Sequence, residues 1–300
     1  MKSFFMFFVL FVMIAASEVL GEREVIFPEV AALCAGCFLA PRLVWRTNYL
    51  KMLASISICA LFGLLIVLFA PFPLWIQFSL GFIIGQLVLF FSKTSFAPMI
   101  SAIALPILIQ TKSPVYLIAA FSLTLLVILL SLTLEKLKIK EKNAYEPVNY
   151  NPKEFFAAFA FRTIFVALIS VIALRFGVKF CIAPPLLVAF TELCNKNSPA
   201  AKRFFAVILL VTLCALAGSL SRYFISITLG FPLTLAVLLA GAMVLGLVKL
   251  FSFPFPPAAA MSVLAMLIPE EAVVFYPLQV FAGISVLSLL TLILNSSVLK

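Results

Sequence analysis

Few side chains of this sequence could do chemistry, and most of them sit inside long apolar runs. Arg162 is the eighth residue of a run that begins at 155, a depth where a cation must pair or bend toward a surface. Pairing would make it an anion-binding group; bending would make it an anchor. Glu29 follows Pro28 at a helix start, where the positive end of the helix dipole favours a carboxylate as a cap or interface group. Proton coupling is the alternative role for that carboxylate. Glu192 stands near the end of its run and is expected to be solvated, as are Glu270 and Glu271. Gln86, Ser101 and Ser262 are neutral groups that either line a pathway or bond to neighbouring helices. Cys34 and Cys37 form a C-x-x-C on an apolar segment, without the βαβ context of a redox motif, and read as small buried hydrophobes. With no histidine in the chain, Ser-His-Asp catalysis, histidine zinc sites and histidine relays are excluded. No catalytic residue, metal or cofactor is expected, nor is an enzyme. The absence of a G-x-x-x-x-G-K-[ST] also argues against ATP-driven pumping by this chain alone.

The elements that must position these groups are membrane segments. Hydrophobic residues make up 65% of the 300, charged residues 11%, and mean hydropathy is +1.26. Soluble domains average about 45–50% apolar and about 25% charged, so lipid must solvate most of this surface. The expected class is an all-α polytopic protein of the cell (inner or plasma) membrane, with the lipid bilayer as its first partner. A net charge of +10 could suggest nucleic acid, but the Lys and Arg residues lie mostly in short connections between apolar runs. No nucleic-acid partner is expected.

Apolar runs fall at about 3–20, 25–41, 52–70, 74–92, 97–110 and 115–134, then at 155–174, 180–194, 204–221, 231–250, 256–268 and 273–294. The second and fifth of each set are short. "CALFG" (59–63) matches "CALAG" (214–218), "PFPLWIQF" (71–78) matches "GFPLTLAV" (230–237), and "SFAPMISA" (95–102) aligns with "PFPPAAAM" (254–261). "VIFPEVAAL" (25–33) faces "CIAPPLLVA" (181–189). These ordered anchors, at offsets of 155–159, predict two parallel internal repeats of six segments, each with four long helices and two short proline-led ones. The expected units are 1–135, a cytoplasmic linker 136–154, and 155–300. The opening "MKSFFMFFVLFVMIAAS" resembles a signal peptide, but it occupies the place that 155–174 holds in the second half, and a retained first helix is the favoured reading. With the N-terminus inside, fifteen Lys and Arg residues fall on the inner side and five on the outer (Arg23, Lys112, Arg175, Lys179 and Arg222). Both termini are therefore expected to be cytoplasmic, whether the short segments cross or re-enter.

Proline at the first helical position costs no hydrogen bond, and residues before proline favour extended backbone. Helices should therefore start near Pro28, Pro98, Pro184–Pro185 and Pro257, with an extended entry over 252–256. "FPFPPAAAMSVLAMLIPEE" (253–271) encloses a segment, 256–268, too short for the about 20 residues that a bilayer crossing needs. Such starts at depth either line a central site, where unpaired N–H groups favour an anion, or end buried structural helices. The candidate binding residues are Pro28, Glu29, Pro98, Ser101, Arg162, Pro184, Pro185, Phe255, Pro256, Pro257 and Ser262.

The stretch Phe255-Pro256-Pro257-Ala258-Ala259-Ala260, followed by "MSVLAMLIP", resembles the His-Pro-Pro motif that opens a short alanine-rich helix in the HPP family of integral membrane proteins. "IAPPLLVAF" (182–190) is similar to that family's other proline-led segment. The likeness covers 155–295 and, more faintly, 3–135. Phe255 stands where the family has histidine, and two units are fused where the family has one. The resemblance implies a membrane transporter, with nitrite as the solute ascribed to some relatives. The expected function is a secondary transporter or channel-like protein for a small anionic or polar solute. An exporter of aromatic or organic acids and a non-transporting scaffold subunit stand as alternatives, and a homo-oligomer is left open.

Overall fold

The computed structural model describes residues 2–40, 42–195 and 198–297, with side chains through residue 294. Lys196 and Lys300, two of the fifteen inner-side charges, lie outside the described residues. The described residues are mainly helical and contain no strand.

Among the described residues, eight helices are long and apolar enough to cross a membrane. They are α1 (Lys2–Leu20), α3 (Tyr49–Phe69), α4 (Leu74–Ser92), α6 (Val115–Lys136), α7 (Pro152–Arg175), α9 (Phe204–Ser221), α10 (Leu233–Phe251) and α13 (Tyr276–Ser297). α9 continues as a π-helical stretch, Arg222–Thr228. Four of these helices lie in each half, as expected of a polytopic membrane protein. The helices α2 (Glu29–Cys34, continuing as a π-helical turn over Ala35–Leu39), α5 (Pro98–Ile109), α8 (Pro184–Leu193) and α11 (Pro256–Leu267) are too short to span. A single turn, α12 (Glu270–Val273), follows α11. All four short helices start within a residue of the proline that announces them; α11 begins at Pro256, one residue before the expected Pro257, and with Ser252 left-handed the extended entry is shorter than the expected 252–256.

The short helices form the core. Every residue of α11 is buried, and so is every residue of α5 except Ile109. The long helices surround them: α10 lies between α1 and α9, α13 packs on α9, α4 lies between α7 and α3, and α6 packs on α3. Their outer faces carry exposed Phe8, Phe11, Phe62, Ile118, Leu168 and Phe281, the surface that lipid covers.

Depth follows from a few contacts. The side of the molecule that carries the 137–151 connection is called here the linker side. The Phe27 N–H donates to Met13 Sδ at 3.3 Å, so α2 starts about 10 Å below the far-side end of α1 at seven residues of 1.5 Å rise. Entering from the other direction, α5 follows the linker-side loop after α4. Its Ile103 carbonyl meets Gly63, which puts Pro98 about 16 Å below the far-side end of α3 on the same rise. α1 ends and α6 begins on the far side, while α3 begins and α4 ends on the linker side, so the chain crosses the bundle both between α1 and α3 and between α4 and α6, each time through a short helix that starts at depth.

Proline leaves two buried carbonyls without their helical donors, and each finds a side chain. Pro106 inside α5 cannot donate to Ala102; the Tyr116 hydroxyl does so instead, at 2.7 Å. Pro269 cannot donate to Ala265; Arg222 Nη1 does so, at 2.7 Å, and also meets the Ile268 carbonyl at 2.5 Å. Arg222, read from sequence as an outer-side loop charge, is therefore 4% exposed, because its guanidinium terminates α11. Tyr276 makes the matching bond to Met261 at 2.8 Å, but there the helix is uninterrupted and Ala265 supplies the usual donor.

The 137–151 connection is a strap across the linker-side helix ends. The Asn143 N–H donates to Glu135, which also accepts from Tyr49, at 3.2 Å, Lys140 to Ser131 at 3.1 Å, Lys51 to Tyr145 at 2.8 Å and Tyr150 to the Thr94 carbonyl at 2.6 Å. Lys140 is thereby buried, within the segment that the sequence reads as a cytoplasmic linker.

Two outcomes follow for thermal unfolding in detergent. Tyr116→Phe leaves the Ala102 carbonyl unsatisfied and should cost about 1–3 kcal/mol, while Tyr276→Phe should cost about 1 kcal/mol or less. Gly218→Ala drives a Cβ into the Ser262 backbone and should cost about 1–3 kcal/mol. Gly246→Ala, with open space around it, should be neutral. Equal losses within either pair would contradict these contacts.

Candidate functional site

At the centre of the bundle the first turn of α2 meets the first turn of α5. Pro28 sets the backbone of the α2 start, and Glu29, the first helical residue, is 1% exposed. The Ser101 hydroxyl donates to Glu29 Oε1. Glu29 Oε2 is sealed and has no hydrogen-bond partner among the described residues, and no cation lies within salt-bridge distance of the carboxylate. Tyr116, which is fully buried, lies edge-on to Phe27 beside the α2 start, with ring centroids 6.0 Å apart. A buried carboxyl oxygen without a partner can take up a proton, accept from a polar solute or, as an acid, donate to an anion.

The other expected site residues divide. Pro98 begins α5 next to Ser101, so Pro28, Glu29, Pro98 and Ser101 converge. Pro184 and Pro185 open α8, which packs on α5, and Pro256 and Pro257 open α11, which packs on α2. Phe255 is 2% exposed and stacks on Phe253 at 5.8 Å, with the Arg203 guanidinium 5.7 Å from the Phe253 ring. At the offsets of the sequence alignment, Glu29 faces Pro185 and Ser101 faces Ala260, so the polar pair exists on one side only. Ser262 spends its hydroxyl on the Ala259 carbonyl at 2.8 Å, and its backbone lies against Gly218. Arg162 is not joined to the Glu29–Ser101 pair by any contact; its guanidinium bends back along α7 to the Phe155 ring, 5.7 Å away.

Two groups beyond the expected set belong to this core. Trp45 Nε1 donates to Glu192 Oε1 at 3.1 Å, tying the segment after α2 to the end of α8. Glu192, read from sequence as solvated, is instead held in a partly buried interaction, because the indole reaches it across the two halves. Trp45 also lies edge-on to Phe96 at 5.1 Å and against Gly36, where any Cβ would collide with the indole. Tryptophan in a linker-side loop reads as an interface anchor, so only the spatial approach of α8 gives it this role. Gln86 donates to Thr163 Oγ1 at 3.1 Å, bridging α4 and α7, and its Oε1 is unpartnered. Gly81 and Gly85 serve packing, against Ile107 and Ile100 of α5.

A hollow of about 460 Å³ opens on the far side beside the entry to α8, lined by Lys179, Phe180, Pro269, Glu271, Phe275 and Gln279, among others. The Phe180 N–H donates to Gln279 there, at 3.1 Å. No family model, curated protein or solved structure matches the chain.

Ser101→Ala removes the one side-chain donor to Glu29 and should destabilise the protein by about 1–3 kcal/mol. In a Glu29→Leu background the same change should be nearly neutral. Equal costs in both backgrounds would show that the pair is uncoupled.

Proposed function

We propose that the chain is a multi-pass membrane transporter for a small anionic or polar solute, with the solute path at the starts of the short helices and Glu29 as its proton-exchanging group. The observation that carries this reading is the Glu29–Ser101 pair. A carboxyl group with one unpartnered oxygen lies deep in an apolar bundle, between two short helices that are entered from opposite sides and start at depth. Ionisable groups held at membrane depth mark pathways and relays more often than they serve packing. As an acid, Glu29 Oε2–H could donate to an anion; transfer of that proton would couple the solute to the proton gradient.

Several features support two parallel repeats as the frame for this transporter. Tyr116 and Tyr276 make the same hydroxyl-to-carbonyl bond, and Gly63 and Gly218 receive the same backbone approach from α5 and α11. α1 packs on α10 as α4 does on α7, and α2 packs on α11 as α8 does on α5. The proline-led starts fit the resemblance to the HPP family, and nitrite is the solute that this resemblance names. Both termini and the strap are placed inside, at the cell membrane, by the Lys and Arg bias.

The unbroken burial of α11 favours one second reading, a non-transporting scaffold with a fully packed core. Flux measurements separate the two. Purified protein in proteoliposomes should take up at least one of nitrite, nitrate and formate saturably, with a rate that responds to a proton gradient. Glu29→Gln should lose at least about tenfold of that response, the scale of one general acid–base group being about 10²–10⁴. No flux of any anion from folded protein would leave the scaffold reading.

A further inference from the structure

Four charged side chains are buried among the described residues: Glu29, Lys140, Arg162 and Arg222. Of the three cations, Lys140 meets Ser131 and Arg222 meets two carbonyls. Arg162 is 6% exposed, makes no hydrogen bond or ion pair among the described residues, and has its Nε sealed from solvent. A guanidinium carries five N–H donors, and removing it from water costs several kcal/mol unless an anion or acceptors compensate. The cation–π contact with the Phe155 ring at 5.7 Å compensates only part of that cost.

Neither titratable neighbour supplies the missing charge. These neighbours are Cys194, at the end of α8, and Tyr150, in the strap. Burial pushes the Cys194 thiol up to about 12 against the opposing pull of Arg162. Burial likewise pushes the Tyr150 phenol up to about 12, and its hydroxyl proton is already given to the Thr94 carbonyl. Both are neutral at physiological pH. The surrounding wall is aromatic: Phe90 lies 4.6 Å from Phe155 and 6.0 Å from Tyr150, ring centre to ring centre. Arg162 lies ten residues, about 15 Å, into α7 and bends back toward Phe155, the fourth residue, so the guanidinium lies about 10 Å from the linker-side helix end at 1.5 Å per residue, on the side where linker-side lipid headgroups lie.

We propose that Arg162 is the cation of an oxyanion site at the linker-side end of α7, binding a phosphodiester or a small free oxyanion through its guanidinium fork over the Phe155 ring. The planar fork suits two oxygens of one anion, which a lysine at the same place would not match. Two sources carry this chemistry: the phosphate of an anionic lipid, and a free ion such as phosphate or nitrite. The site is separate from the Glu29–Ser101 pair and stands whether or not the chain transports.

The test uses full-length protein in nonionic detergent, stripped of anionic lipid. Thermal unfolding is followed with phosphatidylglycerol against phosphatidylcholine, and with sodium phosphate or nitrite against sodium chloride at equal ionic strength. Wild type should gain at least about 3 °C at saturating ligand. Arg162→Gln should bind at least about tenfold more weakly and show no gain, and Arg162→Lys should keep part of it. A response to phosphatidylglycerol alone identifies a lipid headgroup, and a response to phosphate or nitrite identifies a free oxyanion; either supports the site. Should Arg162→Gln not fold, native mass spectrometry of wild type and Arg162→Lys decides by the retained phosphatidylglycerol, together with the thermal response to phosphate and nitrite. No response of wild type to any of these anions, or equal responses in wild type and variants, would overturn the proposal.

Discussion

In hydrocarbon no water is available to satisfy a stray N–H or C=O, and this constraint governs the architecture. Four helices of this protein are too short to span, so their ends and the extended segments that lead to them lie at depth. Such backbone is tolerated only inside protein, which is why the eight spanning helices enclose the short ones. The same constraint explains individual side chains. Pro106 and Pro269 each remove a donor, and Tyr116 and Arg222 each restore one. Gly63 and Gly218 let the backbones of α5 and α11 approach closely enough for the enclosure to close.

On that frame the two halves differ where it counts. The α2 start carries a carboxylate bonded to the α5 start, while the aligned positions in the second half carry proline and alanine. A polar pair present in one half only concentrates any proton exchange at a single place. Across the linker side, the Trp45–Glu192 bond ties the segment after α2 to the end of α8. Opening a path from that side to Glu29 would have to release this bond or move both helices together.

Much of the frame is legible in the sequence because its signals are local. Long apolar runs and proline-led starts fix where α5, α8 and α11 begin to within one residue, since the missing N–H of proline acts at its own position. What depends on through-space approach is not legible. Nothing near Ser101 in sequence announces Glu29, seventy-two residues away, and Arg222 reads as a loop charge until Pro269 is seen to strip Ala265 of its donor. The strap also escapes a linear reading, because "EKLKIKEKNAYEPVNY" looks solvated until Tyr49, Lys51 and Thr94 are brought beneath it. Glu192 is misjudged for the same reason: its partner, Trp45, comes from the other half.

The central claim is that water and solute reach the starts of the short helices at some stage of a cycle. The most direct measurement is thiol labelling of Ala97→Cys and Ala183→Cys, buried positions just before α5 and α8. They would be made in a chain whose six native cysteines are replaced and which is reconstituted in sealed vesicles. A membrane-impermeant maleimide would be applied to each face, with and without nitrite. The account predicts labelling of at least one position from one face, at a rate that the solute changes. No labelling of either position from either face, in folded protein and with every solute tried, would contradict it.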